Sequence, residues 1–248
     1  TFYPSTDKYS RFNFTDYDID YGYYWEGPYS YSEIIASGQG ITDENGKFII
    51  SLPADLSDTK RSRNLTFEAT VTDLSGNAVS GRATLIAHQS QVYAGIRATT
   101  YVGMLGEEQT FEVVGLDWDS NPQPGQKVDV AIVEREWFNV LEQNPDGSVY
   151  WTSSVKETPV ITLTDITLDS QGLGKASFTP EKGGIYKARV SARDASGNLS
   201  VASAYLWVAS KDYIPWRQGN DRGLQLITDK TTYTPGETAE ILIASPFK

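Results

Sequence analysis

The sequence predicts an all-β chain built from tandem antiparallel sandwiches, and three observations carry that prediction. Apolar residues alternate at period two in segment after segment, turn residues separate the segments, and one long stretch is written twice. Leu65, Phe67, Ala69 and Val71 recur at every second position, as do Tyr186, Ala188, Val190 and Ala192. That spacing turns one side of a pleated strand toward a core. Val128, Val130 and Ile132 repeat it, and so do Phe111 and Val113. Turn-forming clusters at 43–46, 75–77, 120–125, 144–147, 171–174, 183–184 and 196–198 fall between these runs. Short strands punctuated in this way are the pattern of two-sheet β domains, and little of the chain reads as helix.

The doubled stretch sets the domain plan. Residues 65–77 read LTFEATVTDLSGN and residues 186–198 read YKARVSARDASGN, each an alternating strand that runs into Asp-x-Ser-Gly-Asn. Asp73 and Asp194 stand 121 residues apart, the length of one modest domain. Each copy follows an acidic turn and a further strand, TDENGKFIISLP at 42–53 and LDSQGLGKASFTP at 168–180. Each is followed by another strand, VSGRATLIA at 79–87 and VASAYLWVA at 201–209. A period this long marks tandem folded modules and not a short solenoid repeat.

Taken in order, residues 1–90 supply the later strands of a first sandwich whose initial strands are expected upstream, and its polar, aromatic opening to residue 34 shows no clean alternation. Residues 91–210 make a complete module of seven strands: YAGIRA, QTFEVVGLD, KVDVAIVERE, VYWTSSVKETPVI, GKASFTP, YKARVSARD and VASAYLWVA. Seven suffice for an immunoglobulin-like or fibronectin-III-like topology. Residues 211–223 read as a linker, and residues 224–248 as the first strands of a following module. There, Tyr233-x-Pro-Gly236-Glu237 followed by Ala239, Ile241 and Ile243 echoes Tyr101 through Gly106-Glu107 followed by Phe111 and Val113. The segment therefore reads as a fragment that starts and stops within domains.

Composition removes several classes of function. A net charge of −11 offers no positive footprint for nucleic acid. The absence of cysteine excludes disulfides, thiolate metal sites and a cysteine nucleophile. Together with the Tyr-, Thr-, Ser- and Asp-rich style, it points to an extracytoplasmic bacterial protein of the periplasm or cell surface. No apolar run reaches the roughly 20 residues a spanning helix needs. No signal segment stands at Thr1. The sequons at Asn13, Asn64 and Asn198 read as chance occurrences.

Motifs that could carry chemistry are sparse. His88 is the single histidine, placed at the seam between modules without a nucleophile motif nearby, and reads as a packing or surface residue. Carboxylate pairs occur at Asp117/Asp119 and Glu134/Glu136, and the triplet Asp16, Asp18 and Asp20 alternates on one face. The triplet is a weak calcium candidate, since it lacks the glycine and terminal Glu of an EF-hand loop. Tyr23, Tyr24, Trp25, Tyr29 and Tyr31 would form a sugar-stacking platform if exposed, and otherwise fill gaps between packed elements. In the two repeated turns, Asp73 and Asp194 are placed to accept backbone amides. Gly76 and Gly197 supply positive φ, and Asn77 and Asn198 tolerate the left-handed region. These six positions read as structural punctuation. No catalytic residue and no cofactor is expected.

Four segments resemble the macroglobulin-type domains of bacterial alpha-2-macroglobulins: ITDENGKFIISLP, VTDLSGNAVSGRATLIAHQSQVYAGIR, GIYKARVSARDASGN and LQLITDKTTYTPGETAEILIASPF. The last is similar to the start of the domain that bears that family's bait region. The resemblance implies tandem macroglobulin sandwiches in a broad-spectrum endopeptidase inhibitor. In that family, cleavage of a bait segment rearranges the domains and an internal Cys–Gln thioester captures the protease. This segment contains neither reactive part, so the resemblance implies a non-catalytic scaffold. Its partners would be proteases, met through the full-length protein, and the neighbouring domains of its own chain. Two other readings of the same composition are tandem domains of a surface adhesin or stalk, and a carbohydrate-binding accessory module.

Overall fold

The computed structural model describes residues 7–16, 34–53, 56, 61–211, 214 and 225–244. The chain forms two compact units that divide after Gln89, and residues 7–16 group with the second.

The described part of the first unit is dominated by one hairpin, β1 (Arg63–Thr72) and β2 (Ala78–Ala87). An unbroken antiparallel ladder runs from Arg63 opposite Ala87 to Thr72 opposite Ala78. The expected alternation gives it one apolar face, with Leu65, Phe67, Ala69 and Val71 opposite Leu85, Ala83, Gly81 and Val79. That face stays open among the described residues: Val71 is 58% and Val79 74% exposed. Upstream, the turn at Asp43 forms as expected, but residues 47–53 join no strand. Phe48, Ile50 and Leu52 alternate correctly yet find no ladder partner among the described residues. Without one, an extended backbone gains no cross-strand hydrogen bonds.

The second unit contains a two-sheet sandwich. Its larger sheet runs in the order β4 (Val102–Met104), β10 (Leu199–Ala209), β9 (Gly184–Arg193), β6 (Lys127–Gln143), β7 (Val149–Thr167). The smaller consists of β3 (Tyr93–Ala98), β5 (Gln109–Leu116) and β8 (Leu173–Phe178). All pairs are antiparallel except β4 with β10, where Val102 to Met104 run parallel to Trp207 to Ala209. The inward positions named by the alternation close one core. Phe111, Val113 and Ile96 from the smaller sheet meet Val130, Ile132, Ala188, Val190 and Leu206 from the larger, all at 2% exposure or less. Phe111 stacks on Phe178, whose ring in turn tilts against Tyr186.

Two features of the larger sheet exceed the sequence expectation. The β6–β7 hairpin runs on past the core to a turn at 144–147, paired as far as Gln143 opposite Val149. β7 also carries Pro159 within the strand, which an edge position tolerates because one row of its amides faces away from the sheet. The register slips beside it and again near Asp165, which adopts φ 57°. Such irregularities discourage an edge from pairing with another sheet.

The last described elements are β11 (Gln225–Thr228) and β12 (Ile241–Ala244), an antiparallel pair. Ile227 and Ala244 pack on Val102, Ile185 and Trp207. The two Gly-Glu turns equated from sequence share one geometry: Glu107 N–H donates to Met104 C=O and Glu237 N–H to Thr234 C=O. Among the described residues no helix is long and apolar enough to cross a membrane.

Candidate functional site

The repeated turn is the first group of residues the sequence singles out. Asp73 Oδ1 accepts Ser75 N–H at 2.8 Å and Asn77 N–H at 2.9 Å, while Oδ2 accepts the Asn77 side chain. Asp194 does the same with Ser196 and Asn198. In each turn the residue four positions on closes the loop with its C=O, and Gly76 and Gly197 take φ 86° and 84°. The same device recurs beyond the two copies visible in sequence. Asp43, Asp117 and Asp169 each accept the amides two and four residues on, with Gly46, Ser120 and Gly172 at positive φ. Each is a turn closed by a hydrogen bond from the fourth residue's N–H to the Asp C=O, with that fourth residue left-handed, and at Asp73 and Asp194 it joins the two strands of a hairpin. The Asp carboxylate adds two further acceptors to it.

Asp194 differs from its counterparts. It is 7% exposed, and its Oδ2 also accepts the Gln91 N–H at 2.9 Å and the Ser90 hydroxyl. Ser90 Oγ in turn accepts the Val92 N–H. One carboxylate therefore closes its own turn and fixes the point where the chain enters β3. Burial alone would raise its pKa, but the Gln91, Asn198 and Ser196 donors outweigh that and bring it down to about 2.

The second group centres on Asp16, which the sequence grouped with Asp18 and Asp20 as a weak calcium candidate. Asp18 and Asp20 lie outside the described residues. Asp16 is buried, with its side chain 1% exposed, and both oxygens face cations of its own chain. Oδ1 meets Lys187 Nζ at 2.7 Å and the Ser203 hydroxyl at 3.1 Å, and Oδ2 meets Arg189 Nε at 2.8 Å. Burial would raise the Asp16 pKa, but the Lys187 bond, the two positive charges and Ser203 reverse this and leave it below the usual carboxylate range. Among the described residues no cluster of three or more His, Cys, Asp or Glu is placed to hold a metal.

Asp16 lies on a strap, residues 7–16, that packs across the sandwich. Residues 7–9 form a short 3₁₀ turn, and Tyr9, Phe12 and Phe14 pack on Val114, Leu116 and Leu173, the outer face of the smaller sheet. The chain then pairs with the edge of β3, where Asn13 and Ile96 exchange both backbone hydrogen bonds at 2.9 Å. One step on, Thr15 C=O accepts the Ser203 N–H of β10, and the Asn13 side-chain Nδ2 donates to Ser203 C=O. Lys187, Arg189 and Ser203 stand at odd positions, on the side of β9 and β10 away from the core. The strap thus joins the outer faces of both sheets. Beside it, Arg135 donates to the Tyr205 hydroxyl at 2.7 Å, lies over the Tyr205 and Trp137 rings, and reaches Glu157.

Neither Lys187 nor Arg189 is singled out by sequence. Outward positions on an alternating strand are ordinary places for basic residues, and their shared partner lies 171 and 173 residues away. The only local hint is Phe12-x-Phe14, a two-residue alternation too short to read as a strand. The remaining sequence candidates come apart. His88 is half-buried at the end of β2, Asp117 closes a turn, and Glu134 faces Lys182 at 3.6 Å. The aromatic cluster from Tyr23 to Tyr31 lies outside the described residues. Among the described residues this arrangement ties the 7–16 segment and the entry to β3 onto the strands of the sandwich.

No family model matches the chain. An alpha-2-macroglobulin homolog from Nostoc sp. is 27% identical over 177 residues, 71% of this chain and 9% of that protein. Among solved structures, the native conformation of Escherichia coli alpha-2-macroglobulin is 19% identical with a TM-score of 0.47, covering 83% of this chain and 14% of that one. Salmonella alpha-2-macroglobulin reacted with methylamine is 17% identical with a TM-score of 0.43, covering 75% and 12%. The chain therefore spans about a tenth of the length of these proteins. The sequence match supports the resemblance to the bacterial alpha-2-macroglobulin family carried by the four segments quoted above.

Proposed function

We propose that this chain, as kin of the bacterial alpha-2-macroglobulins, is a scaffold segment of a broad-spectrum endopeptidase inhibitor that traps its target. The observation that supports this most is the sequence match over 177 residues, 71% of this chain. In this reading the segment performs no chemistry. It holds bait and capture parts, carried elsewhere in the full-length protein, at a set separation. The chain has no cysteine, so a thioester could only lie outside it. Rearrangement after bait cleavage would move domains as rigid bodies about their junctions. A sandwich whose core is closed and whose entering strand is fixed by Asp194 suits that role. Proteases meet the full-length protein, neighbouring domains are the direct contacts of this segment, and the location is extracytoplasmic.

The test compares the full-length protein with this segment in an endopeptidase assay using a large protein substrate. The expected result is inhibition by the full-length protein and none by the segment. Inhibition by the segment alone would sink the scaffold assignment. So would a reading frame that lacks a Cys-x-Glu-Gln element and ends in a cell-wall anchor.

A further inference from the structure

We infer that the slot between the edges of β3 and β10 is a docking groove for an extended segment that carries an aspartate side chain. Residues 9–16 are its occupant, and Lys187 and Arg189 are the residues that select it. This inference concerns the second unit alone and stands whether or not the inhibitor reading holds.

Four observations converge. The sandwich core is complete without the strap: the cluster running from Val92 to Val208 contains no residue of 7–16. The strap binds as an added strand does, by main-chain pairing to two exposed edges, at Ile96 and at Ser203. That is how sheets recruit peptides, with backbone bonds giving affinity and alternate side chains giving selectivity. The side-chain sites are shaped for this segment. Gly95 lies under Phe14, where a Cβ would come within 2.6 Å of the ring, so the smallest residue makes room for an aromatic. Arg97 lies over the Phe12 ring. Finally, the Lys187 side chain is 1% exposed and so is that of its partner Asp16. Withdrawing Asp16 removes a 2.7 Å charge-assisted hydrogen bond from a buried ammonium. The groove therefore discriminates strongly for an acid at this position, while Phe12, Asn13 and Phe14 set the register.

The ligand class is thus a short extended peptide with two alternating aromatics, an Asn between them and an acid two residues after the second aromatic. On this inference the strap acts as a tethered ligand, and a free peptide of the same sequence should exchange with it.

The experiment uses the full chain with a specific protease site introduced between residues 18 and 22, cleaved after folding. A fluorescent peptide spanning residues 7–16 is then offered, with hydrogen exchange followed at the Ile96 and Ser203 amides. The expected result is exchange of the labelled peptide into the groove, and at least tenfold weaker binding of the D16N peptide. With K187M in the chain, the wild-type and D16N peptides should differ less than threefold, while an F14A peptide stays weak on both chains. In the uncleaved chain, Asp16→Asn should speed exchange at Ser203 and Ile96 at least tenfold and leave Val113 unchanged; this measurement does not depend on the cleaved protein remaining folded. Equal binding of the wild-type and D16N peptides overturns the selectivity assignment. Unchanged exchange at Ser203 in the D16N chain overturns the docking assignment. Protection of these amides only in a dimer overturns the identification of the chain's own segment as occupant.

Discussion

Asp73 and Asp194 occupy the same place in the same written motif, yet they do different work. Asp73 serves an exposed turn, whereas Asp194 also holds the Ser90 and Gln91 donors of another segment. Asp194→Ala should therefore cost about 2 kcal/mol of stability by urea unfolding, because it orphans partly buried donors to a charged acceptor. Asp73→Ala should shift the same midpoint far less. The pH dependence follows from the sign of the shift. A carboxyl held near pKa 2 in the folded chain, against an ordinary value of 3.8, contributes fully above about pH 4. That contribution fades as pH falls from 4 toward 2. Urea midpoints across this range should fall in the parent chain, and Asp194→Asn should remove part of the slope. The role of Asp194 in its own turn was legible from Asp-x-Ser-Gly-Asn, since local chain geometry decides it. Its bond to Gln91 was not, because no local pattern reports a contact 103 residues distant.

At the scale of elements, the strands whose inward residues are buried were the readable ones. Strands β3, β5, β8, β9 and β10 lie where period-two alternation places them, because one row of each meets the core. The outer end of β6, past Glu136, escaped, since Phe138, Val140 and Leu141 are all about half exposed and neither face is sorted by burial. It is held by its ladder and by cross-strand pairs such as Tyr150 with Glu142 and Ser153 with Asn139. The recurring turn gives a sharper test at this scale. Gly172 sits at φ 70° with its missing Cβ facing Gly115 O at 2.9 Å and Gln123 N at 3.0 Å, whereas nothing lies within 4 Å of the same point at Gly197. Gly197→Ala should cost only the left-handed backbone penalty, about 1 kcal/mol. Gly172→Ala should cost at least about twice that, since backbone atoms must also move. Thermal melts of the two variants, run side by side, check the ordering.

For the whole molecule, the uneven distribution of buried surface predicts uneven stability. The β1–β2 hairpin has an open apolar face among the described residues, while Val113, Val190 and Val208 are fully buried. Native-state hydrogen exchange should find amides of β1 and β2 opening by local fluctuations, and those of β5 and β9 only with global unfolding. Equal protection in the two sets would show that the hairpin's apolar face is covered in solution. The sandwich architecture was legible in the sequence because burial repeats along the chain. The strap was not, because its partners are assembled only once both sheets exist.

The short parallel contact of β4 with β10 has a mechanical consequence. Tyr101 C=O accepts the Trp207 N–H, and Tyr101 N–H donates to Asp229 C=O, so a single residue links the larger sheet to the segment between β11 and β12. The three parallel rungs from Val102 to Met104 lie along β10 beside it. Tension applied from the C-terminal side would reach the sandwich through Tyr101, and a tug along β10 would load those rungs together in shear instead of unzipping them one by one. Under force, this junction should yield late and abruptly, acting as a stiff coupling.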